Sequence, residues 1–251
     1  EVYTSAAALA AVTSRVQIGT LVSSLGFHDP AMIAKMAATI DSISGGRFTL
    51  GVGSGWNERE YRAFGIPFHH RVDRFAEALP LLSRLLAGEE VTHSGRYYTL
   101  DRCLIDPPAT REGGPRLMLG SNSPRMASIG LPFVDEWNVW WDIYGNTPEG
   151  FAAVVSDMRD RTVAAGRNPA EVEATACVYV QLPEGSGRTM AEQRGAGRAD
   201  AGDEHAGDDH ASSADAVRDP PERCGQAEHA EEVRGQEQSD QGRAHAVVAE
   251  H

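Results

Sequence analysis

Short apolar runs alternate along the chain with longer segments in which apolar residues recur every three or four positions. A short apolar run rich in β-branched residues is typical of a buried strand, whereas the three-to-four spacing is typical of an amphipathic helix. This pattern predicts strands at 16–22, 47–52, 116–119, 134–141 and 172–182. It predicts helices at 3–13, 30–43, 71–87, from 124 onward, and at 148–165.

Strands separated by helices of this length predict βαβ units and therefore a parallel sheet. We expect the strands to be apolar on both faces, as in a sheet covered by helices on one side and by further core on the other. A doubly wound sheet and a (β/α)8 barrel both satisfy this pattern. One hairpin, predicted at Val91–Leu100 with its turn at Ser94-Gly95, interrupts the alternation.

The sequence changes character near residue 188. Residues 189–251 carry 15 acidic residues against 6 Arg, out of a net charge of −13 for the whole chain. No Leu, Ile, Phe, Trp or Tyr follows Leu182, so this last part lacks the side chains that build a core. We therefore predict a folded body at 1–188 and an acidic low-complexity tail at 189–251. Two origins of the tail stay open: a genuine disordered segment, or a frameshift product of GC-rich DNA, which the excess of Arg over Lys suggests.

Composition also excludes several classes of function. The acidic balance argues against nucleic acid and anionic membranes as partners, and no apolar stretch approaches the ~18 residues of a membrane span. The three cysteines Cys103, Cys177 and Cys224 are too few and too widely spaced for a disulfide framework, which fits a reducing, cytoplasmic setting. No metal site is predicted. The chain opens at Glu1 inside a helical segment without signal-peptide features, which predicts a fragment.

Residues 39–57, with the sequence TIDSISGGRFTLGVGSGWN, resemble the D-x-x-S-G-G-R-x-x-L-G-x-G-x-G-W segment of the luciferase-like monooxygenase family. The match is closest to the branch of this family that depends on the deazaflavin F420. Supporting segments are AVTSRVQIGTLV at 11–22, Asp29-Pro30, FGIP at 64–67 and DEWN at 135–138. Glu136 departs from the family pattern, which usually has glycine there.

The resemblance implies a TIM-like (β/α)8 barrel in which the predicted strands are the third to the seventh. The fold expected here is an incomplete barrel, about five of eight strands, followed by a disordered tail. The implied activity is hydride transfer between F420 and a small organic substrate. Two alternatives stay open: an FMN-dependent two-component monooxygenase, and an inactive truncated remnant. A homodimer is also left open, and no catalytic acid or base is assigned.

In a (β/α)8 barrel the loops that follow the strands carry function, and the opposite end serves stability. The motif at 41–47 joins a helix to the next strand, so we expect a structural role, with Asp41 paired to Arg47. After the first strand, the resemblance implies a cis peptide bond around Val22-Ser23 that supports the ring of the cofactor.

The next two strand-following loops supply the other predicted site residues. Ser54, Gly55 and Asn57 are predicted to bind the cofactor, with Trp56 walling the substrate pocket. The resemblance implies that the cofactor phosphate binds at the turn made by Gly120, Ser121 and Asn122, although a simple helix cap by Ser123 also fits. The substrate pocket is completed by the predicted pair Trp137 and Trp140. We expect all these residues to meet at one rim of the sheet.

Overall fold

The computed structural model describes residues 1–179 and a short strand at 245–248. The predicted boundary at 188 and nearly all of the predicted tail lie outside the described residues. The helices are α1 Val2–Val12, α2 Pro30–Ser44, α3 Glu58–Ala63, α4 Arg71–Leu86, α5 Pro124–Gly130 and α6 Pro148–Ala164. The strands are β1 Gln17–Thr20, β2 Ser23–Ser24, β3 Phe48–Gly53, β4 Val91–Ser94, β5 Thr99–Cys103, β6 Arg116–Leu119, β7 Glu136–Val139, β8 Glu173–Ala176 and β9 His245–Val248.

The main sheet is parallel, and its strand order is β8-β7-β6-β3-β1-β9, with β2 also paired to β3. From β1 to β8 the neighbours follow one another in chain order. A doubly wound sheet reverses its strand order at a switch point, whereas a barrel does not. The order therefore selects the barrel over the doubly wound sheet, and the predicted partial barrel of five strands is confirmed. The predicted hairpin is the antiparallel pair β4–β5, whereas β9 has no counterpart in the sequence-based prediction.

The outer face of the sheet packs against the helices and forms the core. Every second residue of each strand points to this face, and the strand pairing aligns these residues across neighbouring strands. They lie in one hydrophobic cluster with residues of α2, α4 and α6. The most completely buried of these strand side chains are Ile18, Phe48, Leu50, Val52, Leu119 and Trp137.

Apart from Met118, the inner face of strands β6 to β8 is polar, so the prediction that both faces are apolar is wrong there. Arg116 Nε lies 2.9 Å from Glu136 Oε1, and Arg116 Nη2 lies 2.9 Å from Glu173 Oε2. Glu136 is only 3% exposed, and its charge is tolerated because the guanidinium faces it. The three residues begin their strands and lie at the end of the sheet away from the strands' carboxyl ends.

The motif at 41–47 is structural, as expected, but its predicted Asp41–Arg47 pair is wrong. Arg47 donates to the carbonyl oxygens of Thr13 at 2.8 Å and Val16 at 2.6 Å, just after α1 ends. The Asp41 carboxylate instead accepts the backbone N–H of Arg111 at 3.0 Å. A guanidinium carries five N–H donors and can therefore bind several carbonyl oxygens at a helix end at once. Pairing with one carboxylate would leave most of those carbonyls without a partner.

Candidate functional site

Three strand-following segments, 22–24, 53–57 and 120–122, come together at one rim of the sheet. Ser23 pairs with Val52 across β2 and β3. The backbone N–H of Gly120 donates to the carbonyl oxygen of the same Val52 at 3.1 Å. Because the carboxyl ends of parallel strands lie at the same edge, the predicted site residues of these segments are neighbours. Their role in binding a cofactor stays a prediction.

Val22 lies at the centre of this rim. The cis peptide bond joins Leu21 to Val22, one bond earlier than expected. A Cβ on Gly120 would lie 2.5 Å from Val22 Cγ1, and a Cβ on Gly53 would lie 2.9 Å from Val22 Cγ2. Real side-chain atoms do not approach so closely, so the residues at 53 and 120 that pack against Val22 must be glycine.

Ser23 is buried and uses its hydroxyl inside the protein. It is 1% exposed, and its Oγ lies 2.7 Å from the phenol oxygen of Tyr3 on α1. This hydrogen bond fixes the end of the first rim segment to the helix behind it. The side chain predicted to bind the cofactor is therefore engaged with α1, and the backbone of Ser23 is the part that lies along the rim.

In the segment after β3 the backbone is fixed by hydrogen bonds, while some side-chain groups have no hydrogen-bond partner. The carbonyl oxygen of Gly55, which has a φ of 79°, accepts from Arg71 Nε at 3.0 Å. Asn57 caps α3, its Oδ1 accepting the N–H of Glu60 at 3.3 Å. Among the described residues, neither the Ser54 hydroxyl nor the Asn57 side-chain NH₂ has a hydrogen-bond partner. These two groups are available to a ligand.

The turn after β6 is organised mainly by its own serines. Ser123 Oγ caps α5 by accepting from the Met126 N–H at 3.3 Å, which confirms the helix-cap interpretation. Ser121 Oγ accepts the N–H of Ser123 at 3.3 Å. The Asn122 side chain has no hydrogen-bond partner within the described part of the chain, so it remains free for a ligand. Phosphate binding at this turn stays a prediction.

The three tryptophans predicted to line a substrate pocket have different environments. Trp56 and Trp140 are 63% and 44% exposed on the loops after β3 and β7. Trp137 is 1% exposed and shares the outer face of the sheet with Leu119. It lines, with Met158 and other residues, a cleft between α6 and the sheet. Trp137 is thus not placed as predicted: its indole N–H donates to the Ser121 carbonyl at 2.9 Å and supports the rim from behind.

Asp73 and its cationic neighbours connect the helices that begin at the rim. The Asp73 carboxylate in the first turn of α4 pairs with Arg125 of α5 and lies 3.2 Å from His70 Nδ1. Burial raises the pKa of Asp73, but the hydrogen bond from His70 and the charge of Arg125 outweigh it, so the net shift is downward. The rim is thereby flanked by a paired carboxylate whose pKa is lowered.

Sequence reasoning missed Tyr61, which joins two rim segments, and Asn138, a buried polar side chain near the end of β7. Tyr61 of α3 is 1% exposed and hydrogen-bonds to Ser24 and to the Ser54 carbonyl. Asn138, on the inner face of β7, donates to Thr175 Oγ1 of β8 at 2.8 Å. Only Asn138 carried a signal, as part of the family segment at 135–138, because an aromatic residue in a short helix is indistinguishable from an ordinary core residue.

Within residues 1–179 no helix is both long and apolar enough to cross a bilayer. The same part of the chain contains no group of three or more His, Cys, Asp or Glu side chains placed to hold a metal ion.

Comparison with known proteins places this geometry in a family. The family model for luciferase-like monooxygenases matches residues 1–250. The chain is 33% identical over 176 residues to the pyrimidine monooxygenase RutA of Shigella flexneri. The matched region covers 67% of this chain and 44% of that protein. The chain therefore spans about half the length of the curated relatives it matches.

Solved structures agree with this assignment. The monooxygenase RslO1 from Streptomyces bottropensis superposes with a TM-score of 0.64 at 27% identity, covering 79% of this chain and 59% of that one. The coenzyme F420-dependent tetrahydromethanopterin reductase from Methanopyrus kandleri shares the fold with a TM-score of 0.60 at 20% identity, covering 70% and 53%. The fold, the rim and the matched family model together show that the chain belongs to the luciferase-like monooxygenase family.

Proposed function

We propose that the protein is an oxidoreductase that holds a flat tricyclic redox cofactor, F420, at the rim and exchanges hydride between it and a small organic substrate. The observation that carries this proposal is the meeting of three strand-following segments around Val22, with glycine at 53 and 120. Loops at the carboxyl ends of barrel strands are where active sites of this fold lie. The sequence motif at 39–57 supports F420 as the cofactor.

The residues present fit such a ring in two ways. Val22 forms an apolar surface, and Gly53 and Gly120 beside it project no side chain, so a planar ring can lie there. Around it, the Ser54 hydroxyl, the side-chain NH₂ of Asn57 and the side-chain amide of Asn122 have no other partner among the described residues. Hydroxyl and amide groups suit the carbonyl and nitrogen edges of a flavin-type ring.

In this proposal the protein binds and orients, while the cofactor when bound supplies the redox chemistry. Val22 supports the ring from one side, and the uncommitted polar groups of the rim fix its rotation. Trp56 and Trp140, both partly exposed beside the rim, provide apolar surface for the organic substrate and shield it from water. The Trp137 hydrogen bond to Ser121 holds the third segment in place.

FMN is the second candidate cofactor, with a monooxygenase activity in place of hydride exchange. It is favoured by one observation: the relative at 33% identity is named as a pyrimidine monooxygenase, and the structure at 27% identity is also a monooxygenase. A two-component enzyme of this kind would receive reduced FMN from a partner reductase. The small organic substrate is a shared feature of both candidates.

Cofactor titration of the full chain separates the two candidates. We expect quenching of F420 fluorescence at micromolar protein with no response to FMN, whereas the reverse result selects the monooxygenase. Val22→Ala should weaken binding of the true cofactor by about tenfold, because it removes the surface under the ring. Val12→Ala is the matched control, since Val12 is 79% exposed on α1. Failure of both cofactors to bind the wild-type chain would overturn the proposal.

A further inference from the structure

The hydroxyl of Tyr61 joins two of the three rim segments. It hydrogen-bonds to Ser24 Oγ in the segment 23–26, in which the first rim segment continues past Ser24 to Gly26. It also donates to the carbonyl oxygen of Ser54 in the segment 53–57, at 3.0 Å. Tyr61 belongs to α3 and is only 1% exposed, so water does not compete for these bonds. A single buried group thus contacts both segments.

The direction of these hydrogen bonds follows from counting hydrogens. A carbonyl oxygen only accepts, so the single hydrogen of the Tyr61 hydroxyl is given to Ser54. Ser24 must therefore donate its hydrogen to Tyr61. The Ser24 oxygen in turn accepts the backbone N–H of Gly26 at 3.3 Å. The hydrogen bonds therefore run in one direction, from Gly26 through Ser24 and Tyr61 to Ser54. Each of the three bonds involves either the Tyr61 hydroxyl or the Ser24 hydroxyl.

The packing leaves no space for another arrangement. A Cβ on Gly26 would lie 2.5 Å from the Tyr61 phenol oxygen, and a Cβ on Gly55 would lie 2.3 Å from it. The hydroxyl is therefore enclosed by one glycine from each segment. The ring itself is held edge-on by Phe27 and Phe68, at centroid distances of 4.7 Å and 5.3 Å. Removing the oxygen would leave a gap that neither backbone fills without moving.

We infer that Tyr61 is a positioning residue: its hydroxyl sets the relative placement of the segments 23–26 and 53–57, both of which adjoin Val22. The consequence for cofactor affinity rests on the proposed function, since Ser54 and Asn57 lie in one of these segments. Tyr61 does not itself reach a ligand, because it lies buried beneath the rim.

Hydrogen–deuterium exchange on the full chain without cofactor tests the connection directly. In Tyr61→Phe we expect amides of both segments to exchange about tenfold faster, because the Ser54 carbonyl and the Ser24 hydroxyl lose a buried partner. Ser24→Ala should produce the same change, and the double variant should add little to either single one, since they act in one chain of bonds. Tyr97→Phe is the control: the Tyr97 hydroxyl is buried on the hairpin and has no hydrogen-bond partner among the described residues. Unchanged exchange at 53–57 in Tyr61→Phe would overturn the inference.

Cofactor affinity provides the second measurement. If the wild-type chain binds F420 or FMN, the Kd of Tyr61→Phe should rise about tenfold while that of Tyr97→Phe stays at the wild-type value. An unchanged Kd together with faster exchange would show that Tyr61 only stabilises the fold, which contradicts a positioning role. If the wild-type chain binds neither cofactor, the proposed function fails, and the exchange result alone decides whether Tyr61 orders the rim.

Discussion

At the scale of single residues, the rim depends on positions where a side chain is absent. Val22 fits between Gly53 and Gly120 because neither carries a Cβ. The requirement is strict, since protein interiors are packed too densely for either neighbour to retreat. Glycine at these positions is therefore explained by packing against Val22 rather than by backbone conformation, as neither has a positive φ.

Replacing Gly120 by alanine should destabilise the protein through this contact. The new Cβ would lie 2.5 Å from Val22 Cγ1, and overpacking of this kind costs about 1–3 kcal/mol. The free energy of unfolding, measured in urea, should fall by that amount in Gly120→Ala. Combining it with Val22→Ala should restore much of the loss, because the clashing methyl groups are removed. Equal stability of Gly120→Ala and the wild type would show that Val22 is free to move aside.

The sequence predicted which residues reach the rim better than it predicted where they point. Ser54, Ser121 and Val22 could be placed at one edge because each follows a strand of a parallel sheet. The direction of Trp137 could not be predicted, because a strand that is apolar on both faces does not show which of its residues point to the helices. The run at 134–141 is interpreted as such a strand. The contact of Val22 with Gly120 depends on the register of three strands, which a single sequence does not specify.

At the scale of elements, α4 holds the hairpin β4–β5 through one carboxylate. Helical spacing alone suggests that Glu77 pairs with Arg74 on the helix surface. In the structure Glu77 Oε1 instead accepts the backbone N–H of Tyr98 at 2.9 Å and of Tyr97 at 3.1 Å. It also lies 3.2 Å from His93 Nε2 of β4. The hairpin was predicted from its own residues, but its attachment was not, because that contact joins segments about twenty residues apart.

The stability of this attachment should depend on acidic pH. Burial raises the pKa of Glu77, but hydrogen bonds from the N–H groups of Tyr98 and Tyr97 outweigh it and hold the pKa below the ordinary 4.5. A carboxyl with a lowered pKa in the folded state contributes stability above 4.5, and this contribution is lost as the pH falls through the lowered value. Glu77→Gln should therefore cost about 1–2 kcal/mol near neutral pH and progressively less in acid.

Urea unfolding of wild type and Glu77→Gln across this pH range measures the difference. Glu112→Gln is the matched control, because Glu112 is exposed and makes no hydrogen bond or ion pair with any described residue. A constant difference between wild type and Glu77→Gln at all pH values would mean that the carboxylate charge does not hold the hairpin.

At the scale of the molecule, one hydrophobic cluster connects the described body from end to end. It includes Val2 and Tyr3 of α1, the strand residues of the outer face, and Met158 of α6. The inner face contributes mainly polar contacts, such as the Arg116–Glu136 pair. The layer between helices and sheet is therefore the part that holds the body together, because buried apolar area is the main source of folding free energy.

This arrangement predicts that the described body unfolds in a single transition, which bears on the alternative of an inactive remnant. A remnant without specific packing would lose its near-ultraviolet circular dichroism gradually and would aggregate through strand edges. A body with one continuous core should instead lose the near-ultraviolet signal of buried Trp137 together with its far-ultraviolet signal. Thermal melting followed at both wavelengths, with size-exclusion chromatography of the same sample, measures this. Coincident transitions of a discrete species would contradict the remnant, and separate transitions or aggregates would contradict the single core.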